Sequence, residues 1–204
     1  MVKEALAVPR EILFAEKNFL GFLPKEEYDY FNIIINNHEY YERTPEFEHN
    51  PLLQQVIPYV WIINPQTKQI FFYRRAPDEN QHEIRLRNKW SGGIGGHIEN
   101  KDDSNPIYSA MMRELMEEVK INNYPQPKVI GYINDESGSV ERSHFGVLAL
   151  AETTEEVSKG DNEMAEGRFM DISEIDSLIS QENNEFDKWT LISWPIVKEY
   201  ITKL

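Results

Sequence analysis

The sequence predicts an α/β fold in which helices cover both faces of a mixed β-sheet. Three observations predict it. Two runs rich in β-branched and aromatic residues, 56–63 and 69–75, flank the turn-forming segment Asn64-Pro65-Gln66-Thr67-Lys68, the pattern of a β-hairpin. A segment with helical apolar spacing starts near Pro106. Further strand-like runs at 129–133, 143–151 and 164–172 precede two helical segments at the end of the chain. Strands, one central helix, strands and late helices fit an α/β/α sandwich.

Residues 1–50 read as an N-terminal extension packed on a main domain of residues 51–204. Pro24-Lys25-Glu26-Glu27 has the form of a helix start, with Pro in the first turn and acids at the positive end of the dipole. Tyr28, Phe31, Ile34 and Ile35 follow at helical spacing and predict a face packed on the main domain. Together with Tyr30, Tyr40 and Tyr41, the aromatic residues also suit a protein-interaction surface. The polar stretch from Tyr40 to Asn50, with Pro45 in it, predicts a loop. After the hairpin, 76–88 is a polar connection and a strand ends near Trp90. The central helix takes Ser104 or Asn105 as its N-cap. Met112, Leu115 and Val119 form its core face, with the glutamates pointing elsewhere. Asp135 to Ser139 is a turn, Ser173 caps a late helix, and Pro195 is expected to bend or divide the last one.

With 204 residues, 40% of them hydrophobic, the chain can bury one substantial core. Its net charge of −14 disfavours a nucleic acid polymer, whose binding relies on Lys and Arg at phosphates, and disfavours a polybasic membrane contact. A small phosphorylated ligand stays compatible, because a metal ion can supply the positive charge. Solubility is the plainer explanation of the charge. There is no cysteine, hence no disulfide framework, thiolate metal site or cysteine nucleophile. The N-terminus lacks the form of a signal peptide, and no apolar run approaches the roughly 20 residues that span a bilayer. A cytoplasmic, soluble protein is expected.

The most informative stretch is Arg113-Glu114-Leu115-Met116-Glu117-Glu118, preceded by Ser91-Gly92-Gly93-Ile94-Gly95-Gly96-His97-Ile98-Glu99. On a helix Glu114, Glu117 and Glu118 share one face, and like charges so close repel unless a cation lies among them. Mg²⁺ is suited to that place, since it prefers oxygen ligands and shares carboxylates with substrate phosphates. The glycines allow tight backbone geometry nearby. They do not form a phosphate-cradling P-loop, since no Gly-Lys-Ser/Thr follows, and the dinucleotide fingerprint fails because Ile98 stands where its third Gly belongs.

These residues resemble the signature of the Nudix hydrolase family. Gly96 fits its first Gly, and Arg113, Glu114, Leu115, Glu117, Glu118 and Ile121 fit its second half. Asp102 stands at the family's first Glu, the gap from there to Arg113 is longer than in the pattern, and Lys120 replaces a Gly at the helix end, where Asn122 or Asn123 is expected to take the left-handed conformation. Ile94 to Ile98, Ile133-Asn134-Asp135 and Val140 to Gly146 further resemble a branch of Nudix phosphoesterases; the likeness runs from Pro51 to Leu178. The absence of Cys sets the chain apart from isopentenyl diphosphate isomerases, which share the fold.

The resemblance implies a metal-dependent hydrolase that cleaves a diphosphate linkage in a small phosphorylated metabolite. Its alternative is a non-catalytic Nudix-fold module that binds a nucleotide for regulation. Mg²⁺ or Mn²⁺ would be held by Glu117 and Glu118, by the carbonyl of Gly95, and by Glu114 where that residue is not instead the general base. Arg113 would orient a carboxylate. Glu163 or Glu166, from a later loop, is a further ligand or base. His97 and His144 are hydrogen-bonding or proton-shuttling groups at phosphate, or partly buried structural histidines. The basic stretch Arg74, Arg75, Arg85, Arg87 and Lys89 either grips substrate phosphates or is ordinary surface charge. Dimers are frequent in the family, so a homodimer is expected.

Overall fold

The computed structural model describes residues 3–78, 84–101, 105–160 and 162–204. Asp102 and Ser104 lie outside these residues. In chain order the first elements are β1 (Glu4–Pro9), α1 (Arg10–Leu13), β2 (Gly21–Pro24), α2 (Tyr30–Asn37), β3 (Glu39–Glu42) and α3 (Pro45–Glu48). The hairpin strands β4 (Leu53–Asn64) and β5 (Gln69–Arg75) follow, then β6 (Trp90–Ser91) and β7 (Gly93–Ile94). The central helix α4 (Pro106–Glu118) leads into β8 (Val119–Lys120), β9 (Lys128–Asn134), β10 (His144–Glu152), β11 (Ser158–Lys159) and β12 (Met164–Met170). Helices α5 (Ile172–Ser180) and α6 (Lys188–Lys203) come last. This is the expected mixed α/β fold, a large mixed sheet flanked by helices. Among the described residues no helix is long and apolar enough to cross a membrane.

The chain divides into two compact units. The first comprises the residues up to Tyr59, Gly95–Met111 and Val129–Ala149. Here β1 pairs antiparallel with β3 and with β4, and β2 pairs antiparallel with β9. Ala5, Leu6, Ala7 and Val8 are fully buried, so residues read as an extension supply a core strand. Strand β3 and helix α3 also replace the loop expected from Tyr40 to Asn50. Thr44 caps α3 by accepting from the Phe47 N–H at 3.2 Å, and Pro45 opens the helix, where its missing N–H costs nothing. The helix expected from Pro24 begins instead at Tyr30. Asp29 caps it by accepting from the Asn32 N–H at 3.1 Å, while Pro24 closes β2. Its Tyr30 and Ile34 are fully buried, and Tyr30 packs against Phe14, Phe19, Tyr132 and Phe145 with centroids 5.2–6.0 Å apart.

The second unit comprises Val60–Ile94, Met112–Lys128 and Leu150–Leu204. Ile63 faces Ile70 across the hairpin, and the Asn64 side chain closes the turn by accepting from the N–H groups of Gln66 and Thr67. Lys68 takes φ 57° there. Strand β12 runs antiparallel to β5, and β6 adds to β5. The Trp61 ring stacks on Trp194 at 6.0 Å and its Nε1 donates to Ser193 Oγ at 3.1 Å. A Cβ on Gly92 would lie 2.1 Å from that ring. Helix α6 is capped by Asp187, which accepts from the Thr190 N–H at 2.7 Å. It continues through Pro195 rather than dividing, because Pro195 and Leu191, whose carbonyl loses its partner, are both exposed to solvent. Asp171, not Ser173, holds the N-cap position of helix α5, without a capping bond from its side chain.

Candidate functional site

The acidic motif forms the last turn of α4. Leu115 and the adjoining Val119 are fully buried, and Met111 replaces Met112 as the core methionine. The glutamates do not all point away from the interior. Glu114 is 9% exposed and Glu118 6% exposed, one turn apart, whereas Glu117 lies in solvent. The Arg113 guanidinium donates to Glu114 Oε1 at 2.6 Å and to Glu117 Oε2 at 3.3 Å. It therefore sets a positive charge between Glu114 and Glu117.

A glycine does secure the helix end, though it arrives from elsewhere in the sequence. The Gly160 N–H donates to the Glu118 carbonyl at 2.7 Å. A Cβ there would lie 2.9 Å from the Glu117 carbonyl oxygen, the Glu118 carbonyl carbon and the Val119 nitrogen. The contact follows from β8 pairing with β11, with Val119 opposite Lys159. Lys120 is consequently extended strand, which any residue adopts. Among the described residues the non-glycine positions with positive φ are Lys68 and Asn88, so neither Asn122 nor Asn123 takes the expected conformation.

Other predicted residues of this unit lie on β5 and β12. Arg74 faces Glu166 across the strand pair, and Arg74 Nε lies 2.9 Å from Glu166 Oε1, both side chains about half exposed. Arg75 is buried, with its guanidinium 5.3 Å from the Tyr73 ring centroid, so it is not simple surface charge. Burial pushes the Tyr73 phenol far up, and Arg75, Glu118 and Asp187 are the charges near enough to act on it. That places the end of α4, strand β5 and the cap of α6 in one neighbourhood. The phenol donates to the Gly93 carbonyl at 2.8 Å. The Glu163 carbonyl accepts from the Ala76 N–H at 2.7 Å, and Arg87 follows a short 3₁₀ turn, half-buried. The donors on α4 are all carboxylate oxygens, a set that suits a hard divalent cation.

Gly95, His97 and His144 belong to the first unit. A Cβ on Gly95 would lie 1.8 Å from the Pro58 carbonyl oxygen, so only glycine lets this segment pass β4 so closely. His97 Nε2 lies 2.8 Å from Gln55 Oε1, and His144 Nδ1 lies 2.7 Å from the Val140 carbonyl. The two rings meet edge to face, 5.7 Å between centroids. Glu48, at the end of α3, brings Oε2 to 4.0 Å from His97 Nε2. Sequence reasoning named both histidines and missed Glu48 and Gln55. One sits in a stretch read as a loop and the other at the edge of a strand, and no spacing connects either to the histidines.

The NUDIX domain profile matches residues 53–194. The chain is 31% identical to protein YmaB of Bacillus subtilis (strain 168) over 141 residues, spanning 65% of this chain and 66% of that protein's length. The crystal structure of the Nudix protein Tm1382 superposes with a TM-score of 0.74 at 23% identity, covering 97% of this chain and 99% of that one. The MutT protein of Methanosarcina mazei Go1 gives a TM-score of 0.51 at 16% identity over 74% of this chain and 94% of its own. The NUDIX domain of Shewanella oneidensis NrtR, crystallised with ADP ribose, gives 0.50 at 13% identity over 70% and 86%. The chain thus belongs to the Nudix family.

Proposed function

We propose that this Nudix protein is a hydrolase that cleaves a diphosphate linkage in a small phosphorylated metabolite with the help of a divalent cation held on α4. The observation that carries the reading is the pair of buried carboxylates, Glu114 and Glu118, one turn apart beside Arg113. Burying carboxylates is costly unless positive charge or hydrogen bonds compensate, and a cation shared with substrate would add such compensation. Glu117 and Glu118 are the proposed ligands, and Glu114 is a third ligand or the general base. When bound, Mg²⁺ or Mn²⁺ would supply a lowered pKa for the attacking water and offset charge on the phosphoryl oxygens. Arg113 orients Glu114 and Glu117.

Arg75 and Arg87 are proposed to meet the substrate's phosphates. Arg74 would do so only by exchanging its Glu166 partner for phosphate, which couples substrate entry to release of that carboxylate. Glu163 and Glu166 are the further candidates for base or ligand. A nucleoside diphosphate linked to another group fits this chemistry, and ADP-ribose is a natural probe because the NrtR domain was crystallised with it.

The test is Mg²⁺- and Mn²⁺-dependent hydrolysis across nucleoside triphosphates, nucleotide sugars, ADP-ribose, dinucleoside polyphosphates and dinucleotide cofactors. A Glu117→Gln, Glu118→Gln double variant runs beside the parent. Metal-dependent turnover that falls at least a hundredfold in the variant is expected. Ligand binding without turnover, unchanged by the double substitution, would overturn the catalytic reading in favour of a nucleotide-binding regulatory module. Light scattering on the same samples tests the expected homodimer.

A further inference from the structure

We propose that Glu48, His97 and His144 form a second cation site, selective for a borderline divalent metal such as Zn²⁺ and built from side chains other than the carboxylates of α4. The three side chains come from the end of α3, the segment after Gly95 and the start of β10. Each offers a ligand atom, and these atoms all lie within 4.8 Å of one another. All three residues are half-buried, which shields the charges without closing the site to an ion from solvent.

The hydrogen bonding around the rings is what a metal site requires. A carbonyl only accepts, so His144 Nδ1, 2.7 Å from the Val140 oxygen, carries the proton and Nε2 carries the lone pair. The Gln55 amide is oriented by its Nε2, which donates to the Phe47 carbonyl at 3.2 Å, and that turns Oε1 toward His97 Nε2 at 2.8 Å. Both rings are therefore held by an oxygen acceptor, the arrangement that fixes tautomer and orientation in imidazole ligands. Two imidazoles and one carboxylate favour Zn²⁺ over Mg²⁺, which prefers oxygen donors throughout. Glu48 also lies 2.9 Å from Arg43 Nη2, a bond that a metal would have to outcompete or share.

Such a site would tie the N-terminal segment to His97 and to β10 with a metal bridge. It explains why a half-buried histidine pair is kept edge to face with a carboxylate beside it, without assigning it to the phosphate chemistry of the α4 carboxylates.

The test is titration of the metal-stripped full chain with Co²⁺, read by visible absorption, followed by displacement with Zn²⁺. Millimolar Mg²⁺ is present throughout to occupy the carboxylates of α4. One Co²⁺ per chain with intense bands of low coordination number is expected. Glu48→Gln, His97→Gln and His144→Gln should each weaken it at least tenfold. Zn²⁺ should raise the urea midpoint of the parent and leave that of His144→Gln unchanged. The Glu117→Gln, Glu118→Gln variant should keep the spectrum, which separates this site from the proposed hydrolytic one. A parent that binds no Co²⁺ or Zn²⁺ below millimolar concentration, or a spectrum unaltered by Glu48→Gln and His144→Gln, overturns the proposal. Glu48→Gln is isosteric, so its result stands even where a histidine variant fails to fold.

Discussion

Gly160→Ala tests whether the acidic helix end depends on a backbone contact from β11. A Cβ at this position meets three backbone atoms of Glu117, Glu118 and Val119, each at 2.9 Å. None of them is a flexible side-chain end, so relief requires β11 and the last turn of α4 to separate. Separation breaks the 2.7 Å bond from the Gly160 N–H to the Glu118 carbonyl. The lost hydrogen bond is worth about 1 kcal/mol and the overpacking about 1–3 kcal/mol. Reduced freedom of the unfolded chain returns about 0.4–1 kcal/mol. A net loss of about 1–3.6 kcal/mol, centred near 2, is expected. Urea unfolding followed by tryptophan fluorescence should show it as a midpoint about 1 M lower at unchanged slope, for a slope near 2 kcal/mol/M. The displaced turn carries Glu117 and Glu118, so the apparent Mg²⁺ affinity of the hydrolysis should weaken in parallel. Gly138→Ala is the control. Its Cβ meets first the carboxylate end of Glu141, which can swing away, and the cost should stay under about 0.5 kcal/mol. Equal midpoints for Gly160→Ala and the parent would refute the claim that the close approach secures the helix end.

Two further predictions concern α6. Asp187→Ala removes the buried acceptor of the Thr190 N–H at 2.7 Å and hydroxyl at 2.9 Å; it should cost about 1–3 kcal/mol in thermal unfolding, while Asp187→Asn keeps the cap and most of the stability. The Asp176 carboxyl is held below its usual range, chiefly by the Lys198 ammonium at 2.6 Å and also by Trp194 Nε1 at 3.0 Å. Its folded pKa lies below its unfolded value, so its stabilisation is complete above about pH 4 and fades as pH falls through the folded pKa. Asp176→Asn should flatten the acid limb of a stability–pH curve and, for so exposed a pair, cost no more than about 1 kcal/mol at neutral pH. An acid limb identical to the parent's would refute that assignment.

Much of the fold was legible because its signals are local. The hairpin of β4 and β5 announced itself through runs of β-branched and aromatic residues on either side of Asn64-Pro65, and α4 through apolar spacing after Pro106. Strand β1 escaped notice. Glu4 to Pro9 has no alternation, because Ala5 to Val8 are buried on both faces of the strand, and a short apolar run without a period reads as nothing in particular. Strand β3 and helix α3 escaped because Tyr40 to Asn50 is polar, and the Thr44 cap and Pro45 start were read as loop punctuation.

The sequence alone determined the family and the acidic turn, since Glu114, Glu117 and Glu118 fall on neighbouring positions of any α-helix whatever surrounds them. Only the tertiary structure decided which of them are buried, which partner each one has, and which glycine closes the helix. Helical periodicity sets neighbours three and four residues apart. The Gly160 contact with Glu118 and the approach of Glu48 to His97 and His144 depend on pairings between segments distant in the chain, which no local pattern records.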